Sequence, residues 1–464
     1  MALMTKKISI VALILLIAGS IDNIRNLPMT ALFGPPLIFF FVVAAIVFLI
    51  PVALIAAELA STWPDEEGGI YSWVQHGLGQ TMAFFAVWLQ WINTMVWYPT
   101  ILLFIAGTLA YLINPTLAQH KTYLIIATIV IFWSLTLLSL HGLHASARFS
   151  SVCALIGMIL PMVLLISFAL IWFMQGHPLA IHLTPSRIMP QWAQTQSWSS
   201  LTAIITSFLG IELAAVHVND IQNPQHNFPR AIFFAVIIIL TTMILGSLAV
   251  ACMLQNHDIS LLQGVMQAFM PFLTTYHLRY LIPFIVVMLL LGSLGNMINW
   301  IISPAKGLLL AAHHGFLPRG LYRTNRHGVA YRLLILQASL VTLLCAGYVL
   351  LPSVNGIYWL FSSLSTELYL LMYVIMFIAA IRLKIKYPTR KRIFSIPGGR
   401  FGYYLTCLLG LIGCAISLAI GFMPPDTTID VGGASHFRCI YLIGLAIMIL
   451  PAVVLTRLRK TNTC

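Results

Sequence analysis

Asp22 and Arg25 put opposite charges into an apolar run that should otherwise be uniform, and any chemistry this chain performs has to account for them. They belong to Ser20-Ile21-Asp22-Asn23-Ile24-Arg25-Asn26-Leu27-Pro28, where an acid, a base, two amides and a proline interrupt a hydrophobic stretch. A charge at the centre of a bilayer costs about 2.5 to 3.5 kcal/mol even on the mildest scale, so ionisable groups at that depth mark functional sites. The two residues stand three apart, which places them on one face if the segment is helical. Two chemistries follow, and the sequence leaves both open. Either the charges pair with each other, or Arg25 binds a substrate carboxylate while Asp22 binds an ammonium group or carries a proton.

A second interruption lies at Thr206-Ser207-Phe208-Leu209-Gly210-Ile211-Glu212, a glycine and a carboxylate in an apolar stretch. A helix broken at mid-membrane leaves N–H and C=O groups without intrahelical partners, and their partial charges suit the two ends of an amino acid. Gly210 allows close approach because it has no side chain. Glu212 directly follows the break, where a carboxyl can couple protonation to conformation; the competing reading is a carboxyl held permanently by hydrogen bonds. Glu367 is a weaker candidate for proton sensing, with a structural role at least as well favoured. Glu58 reads as structural.

These residues must be positioned by membrane helices. The chain has 464 residues, is 60% hydrophobic and 8% charged, and has a mean hydropathy of +0.96, which excludes an ordinary soluble domain. Stretches of about 20 apolar residues give twelve spans: 8–34, 36–60, 81–113, 122–142, 150–175, 199–217, 231–254, 281–305, 333–351, 357–381, 401–423 and 439–456. The net charge of +13 does not imply nucleic acid, because the basic residues follow the loops. With the N-terminus cytoplasmic, 19 of the 24 Lys and Arg fall inside, four (Lys121, Arg187, Arg279, Arg438) outside, and Arg25 within the membrane. That asymmetry predicts that both termini are cytoplasmic. The first run is too long for a signal peptide and lacks a cleavage site after it, so it is expected to remain as a span. Pro64 to Trp73, with three acids and a glycine pair, reads as a turn opening an interfacial helix near the inner side. Arg390-Lys391-Arg392 reads as an orientation signal, with lipid contact a secondary role.

The two interrupted spans lie five apart. This spacing suggests two five-helix repeats, residues 8–175 and 199–381, followed by two further helices at 401–456, all in one transmembrane domain without a soluble part. The fold expected is therefore all-α, a 5+5 inverted repeat with helices 1 and 6 broken.

Motifs in the right order carry a resemblance. Ser207 to Glu212, then Asn223-Pro224 and Pro229-Arg230, resemble the sixth-helix signature of the amino acid-polyamine-organocation superfamily of transporters. The likeness continues through Leu291 to Gly295, Ser303 to Gly307, and Phe394-Ser395-Ile396-Pro397-Gly398-Gly399. Phe39 to Glu58, His217 to Asp220 and the Ile-Pro-Gly-Gly element are most similar to the bacterial glutamate/GABA antiporter branch. The resemblance implies an amino acid antiporter of the bacterial inner membrane that works by alternating access, exchanging an amino acid for a related one or its decarboxylated amine. A proton-coupled uptake permease is the alternative, and a transporter-like sensor or a membrane enzyme is the rival from another class. It further implies that backbone at Ser20, Ile21, Asp22 and Asn23 and from Ser207 to Gly210 faces the ligand, that Phe208 and Trp300 are occlusion gates, and that Glu212 matches an acidic position linked to proton sensing or gating. At the position of Asn296 the branch commonly carries an acid. Ile21-Asp22-Asn23 replaces the superfamily's glycine-rich break, so side-chain recognition is expected to differ here. Some members of the branch carry a long C-terminal segment that plugs the pathway at neutral pH; this chain stops at Cys464 without one, so any pH control is expected from intramembrane groups such as Asp22 and Glu212.

The remaining chemistry-bearing residues point elsewhere. Trp88, Trp91, Trp97 and Tyr98 read as packing or belt residues. The 14 His fall mostly in loops, although His217 is placed to contribute to a pH response. No convergent nucleophile and base lie at membrane depth and no nucleotide-binding motif is present, so neither hydrolysis nor direct ATP drive is expected. The seven Cys imply no disulfide framework and no metal site. No cofactor is expected; the partners are an amino acid substrate, protons, the lipid bilayer and, for the chain itself, a monomeric or homodimeric state.

Overall fold

The computed structural model describes residues 9–21, 23–63, 69–141, 153, 155–181, 184–190, 195–212, 223–318, 320–321, 323–325, 329–349, 351–424 and 429–458. Every regular element among them is helical. Asp22, Pro64 to Gly68 and Leu213 to Gln222, with His217, lie outside them.

In chain order the helices are α1 (Ile10–Ile21), α2 (Leu27–Ala31), α3 (Leu37–Thr62), α4 (Ile70–Leu78), α5 (Gln80–Ile113), α6 (Lys121–Leu140), α7 (Ile156–Met174) and α8 (Thr195–Phe208), continuing with α9 (Pro224–Met253), α10 (Gly264–Thr275), α11 (Ile282–His313), α12 (Tyr331–Ala346), α13 (Val354–Lys386), α14 (Gly399–Gly421) and α15 (Ala434–Leu458). Nine are long and apolar enough to cross a membrane among the described residues. The others needed for twelve crossings are the split first span, the sixth interrupted after Phe208, and α12, which is extended by a 3₁₀ turn at Gly347–Val349.

Proline leaves its mark on two helices. The π-helical turns at Ala45–Leu49 and Leu155–Ile159 each end two residues before a proline, Pro51 and Pro161. Proline has no N–H to donate to the preceding turn, and a wider turn accommodates the missing bond.

Helices α5 and α13 form the long central pair. Gln90 approaches Tyr369, and the Ser365 hydroxyl donates to Asn93 Oδ1. Rising numbers in α5 therefore meet falling numbers in α13, so the pair is antiparallel. Helix α4 packs against both, with Ile70 to Val74 and Gly77 buried.

The two faces of the bundle are closed differently. At the basic face, the Glu58 carboxylate of α3 accepts from Lys384 Nζ at 2.5 Å, Arg392 Nε at 3.1 Å and the Ile396 amide at 2.8 Å. Arg390 lies over the Trp63 ring at 4.7 Å and donates to the Thr62 carbonyl. Arg390 and Arg392 are thus built into a clasp between α3 and the segment after α13, beyond any role as an orientation signal. At the opposite face, α10 is a buried helix inside a segment that reads as a loop in sequence. Gly264 sits so close to Pro28 that an added Cβ would lie 2.7 Å from its ring, and Asn355 bonds both the Ile259 carbonyl and the Leu261 amide.

Candidate functional site

The first break is written in its residue types. Helix α1 stops at Ile21, and Asn23 is extended at φ −132°, its side chain accepting from the Arg25 amide at 3.3 Å. An asparagine cap of this kind satisfies a backbone donor that would otherwise be orphaned. A single 3₁₀ turn, Ile24–Asn26, leads into α2, where Pro28 near the start costs no hydrogen bond.

This turn carries Arg25 into the bundle, where the side chain is buried. Its Nη1 donates to Thr100 Oγ1 at 2.6 Å, its guanidinium lies 4.7 Å from the Trp97 ring centre, and the Tyr358 hydroxyl is beside it. Nε has no hydrogen-bond partner among the described residues. The cation is therefore surrounded by neutral groups there: an arene face, which attracts it electrostatically, and two hydroxyls. Trp97 joins the site, beyond the packing or belt role its sequence suggests, and packs in turn against Trp300 in a tilted pair with ring centres 5.3 Å apart.

The second break opens after Phe208. Leu209, Gly210 and Ile211 form a turn in which Gly210 has φ +101°, a conformation that favours glycine. Glu212 resumes the helix and is buried. Tyr369 donates to its Oε1 at 2.5 Å, Tyr373 donates to its Oε2, and Gln90 Nε2 reaches Oε1 at 3.4 Å. The Tyr373 hydroxyl also accepts the Gly210 N–H at 3.1 Å.

Both breaks consequently address the same two helices. Arg25 meets Trp97 and Thr100 of α5 and Tyr358 of α13, whereas Glu212 meets Gln90 of α5 and Tyr369 and Tyr373 of α13. At 1.5 Å rise per residue the two levels are about 10 to 15 Å apart along α5 and about 16 to 22 Å apart along α13. Asn93 and Ser365 lie between them.

The other residues singled out in sequence divide. Ser207 bonds back to the Ala203 carbonyl of its own helix, and Phe208 packs on Phe41 at 5.7 Å. Asn296 is half-buried on α11, one turn before Trp300. The side chain of Ser20 lies outside the described residues, as does all of Asp22, so an Asp22–Arg25 pair is not described. Glu367 is not brought to either break. It is buried against Gly421 of α14 and Tyr441 of α15, with Oε1 unpartnered among the described residues. Its neighbour Thr366 is the residue that faces α8, bonding Thr206 at 2.6 Å. Thr100, Tyr358, Gln90, Tyr369 and Tyr373 escape the sequence reading; the available signal was Tyr369 and Tyr373 at i, i+4, and Trp97 and Thr100 at i, i+3, in otherwise apolar spans.

Two broken helices that present opposite charges to one helix pair describe a solute carrier, and known proteins agree. The chain belongs to the amino acid permease family, whose model matches residues 8–449. It is 37% identical over 444 residues to an uncharacterised transporter of Legionella pneumophila, covering 96% of this chain and 95% of that one. It is 31% identical to a glutamate/gamma-aminobutyrate antiporter of Lactococcus lactis, covering 97% and 90%. A probable agmatine/putrescine antiporter of Lactococcus lactis is 24% identical, with 85% and 83% covered. The fold is shared with the solved structure of a mutant manganese transporter of Eremococcus coleocola, at a TM-score of 0.59 and 13% identity over 96% of this chain and 93% of that one. The chain is a multi-pass membrane transporter of amino acids and not an enzyme.

Proposed function

We propose that this protein exchanges amino acids across a bacterial inner membrane by alternating access, with the basic face and both termini cytoplasmic. The observation that carries the substrate reading is Arg25, a buried cation at a helix break whose described partners are all neutral. A carboxylate arriving there gains a charge-assisted bond without displacing an ion pair among the described residues. Backbone at Ser20 to Asn23 and at Gly210 completes the binding position, with Asp22 on the ammonium group or a proton. Trp300 backs the Trp97 wall, Phe208 closes the packing toward α3, and Asn296 lines the approach from α11. The similarity to the glutamate/gamma-aminobutyrate antiporter supports a carboxylate-bearing substrate and exchange as the mode. The five-plus-five repeat, residues 8–175 and 199–381, supplies the two halves that rock around the breaks.

A second reading, proton-coupled uptake, is favoured by one observation, the Glu212 carboxylate caged by two tyrosines and a glutamine. Counterflow in proteoliposomes decides between them. Exchange predicts that efflux of preloaded L-glutamate requires external amino acid; proton-driven accumulation without a counter-substrate establishes uptake; absence of flux with every amino acid tried overturns the transport reading.

A further inference from the structure

We infer that Tyr373 is a positioning residue whose one hydroxyl couples Glu212 to the backbone of the glycine break, so that protonation of Glu212 releases the Gly210 N–H to a substrate carboxylate. This deepens the amino acid transport reading and rests on it for the substrate, whose second carboxylate, the one not held by Arg25, is the group meant.

The two tyrosines that hold Glu212 are not equivalent. Tyr369 donates to Oε1 and is itself approached by Gln90 at 3.5 Å, and among the described residues it makes no bond to the Gly210 backbone. Tyr373, one turn further along α13, donates to Oε2 and accepts from Gly210, so its hydroxyl is a relay. Phe48, in the π turn of α3, packs edge-on to the Tyr373 ring at 5.3 Å and fixes its position. Gly210 holds a positive φ that only glycine adopts without strain, and the Tyr373 oxygen fixes where its N–H points.

The charge of Glu212 sets the strength of this relay. An ionised carboxylate draws the Tyr373 proton, and a hydroxyl polarised in that way becomes a better acceptor for the Gly210 N–H. When the carboxyl takes a proton on Oε2, its new O–H needs an acceptor, and the Tyr373 oxygen faces it. Carboxyl O–H and Gly210 N–H then compete for one oxygen, the hydroxyl proton turns away, and the backbone donor is offered to the ligand. One proton enters and the same proton leaves; no covalent bond to carbon or nitrogen changes. The groups that face the Glu212 carboxylate are Tyr369 and Tyr373 from α13 and Gln90 from α5, all neutral, and no charged side chain contacts it among the described residues.

Two measurements on the full-length protein test this. In detergent, hydrogen exchange of the Gly210 amide, corrected for the intrinsic pH dependence of exchange, should be more protected at mildly alkaline than at mildly acidic pH, by about fivefold for one modest hydrogen bond. Tyr373→Phe and Glu212→Gln should each abolish that difference, and Tyr369→Phe should keep it. In proteoliposomes, the KM for L-glutamate exchange should fall with acidification in the wild type and become flat in Tyr373→Phe, with maximal rate less affected. The double variant Tyr373→Phe, Glu212→Gln should be no flatter than either single variant. A Tyr373→Phe protein that retains wild-type pH dependence of both Gly210 protection and KM overturns the inference, as does loss of both in Tyr369→Phe. If the wild type moves no glutamate yet Gly210 protection follows pH through Tyr373, the substrate reading fails and the relay stands.

Discussion

The two helix breaks carry opposite charges and surround them in opposite ways. At the sixth-span break the Glu212 carboxylate receives three donors, two of them tyrosine hydroxyls. At the first, the Arg25 guanidinium rests on an indole and beside two hydroxyls, with Nε unbonded among the described residues. A carboxylate whose two oxygens both already accept hydrogen bonds is suited to be an internal switch, because those bonds are made and only its proton changes. A cation whose described company is neutral is suited to be a ligand, because it gains from the next anion to arrive. The same helix pair, α5 and α13, supplies both environments, so the difference lies in the side chains it offers at each level.

Glu58 provides the reference point for a charge with a purely structural task. It is paired with two cations and a backbone amide at the basic face. Replacing it by glutamine strands Lys384 and Arg392, whose side chains are only 13% and 9% exposed. Breaking one side of a buried pair costs about 3 kcal/mol at the lower end of its range. Glu58→Gln should therefore lower the thermal midpoint in detergent strongly while leaving the KM of correctly folded protein unchanged. A raised KM at unchanged midpoint would place Glu58 among the functional charges and blur the comparison.

Arg25→Ala should do the reverse. Truncating one partner of a buried charged contact with substrate costs about 2 kcal/mol or more, roughly a 30-fold or greater rise in KM. Removal of a buried cation whose described neighbours are all neutral should cost the fold little. Binding that stays normal while the midpoint falls would show that Arg25 serves the fold, as expected if Asp22 is its partner.

Sequence makes the breaks visible but not what surrounds them. Charge and proline in an apolar run give away residues 22–28, and a glycine beside an acid gives away residues 210–212, because each departs from a uniform background. The partners come from α5 and α13, far along the chain, where a threonine or tyrosine in a span has the look of packing. Trp97 has that look too, and only the approach of Arg25 distinguishes it. Glu367 shows the complementary failure. A carboxyl in a span announces its depth but not its direction, and successive residues on a helix point about 100° apart. Thr366 therefore faces α8 while Glu367 faces α14 and α15.

Thr100 offers the smallest and most discriminating step. Its hydroxyl accepts from Arg25 Nη1 at 2.6 Å and donates back to the Trp97 carbonyl at 2.7 Å, so it fixes the guanidinium relative to the indole beneath it. Thr100→Val keeps the shape and removes the acceptor, at about 1 kcal/mol for one hydrogen bond. If Arg25 is a substrate ligand, the cation loses its aim and KM for glutamate should rise about fivefold, the kinetic equivalent of that energy. If Arg25 instead only balances a charge on its own segment, its aim is irrelevant to the substrate, and the same variant should lose stability with KM unmoved. Measuring KM and the thermal midpoint together on this one variant separates a cation that waits for a ligand from one that has already found its partner.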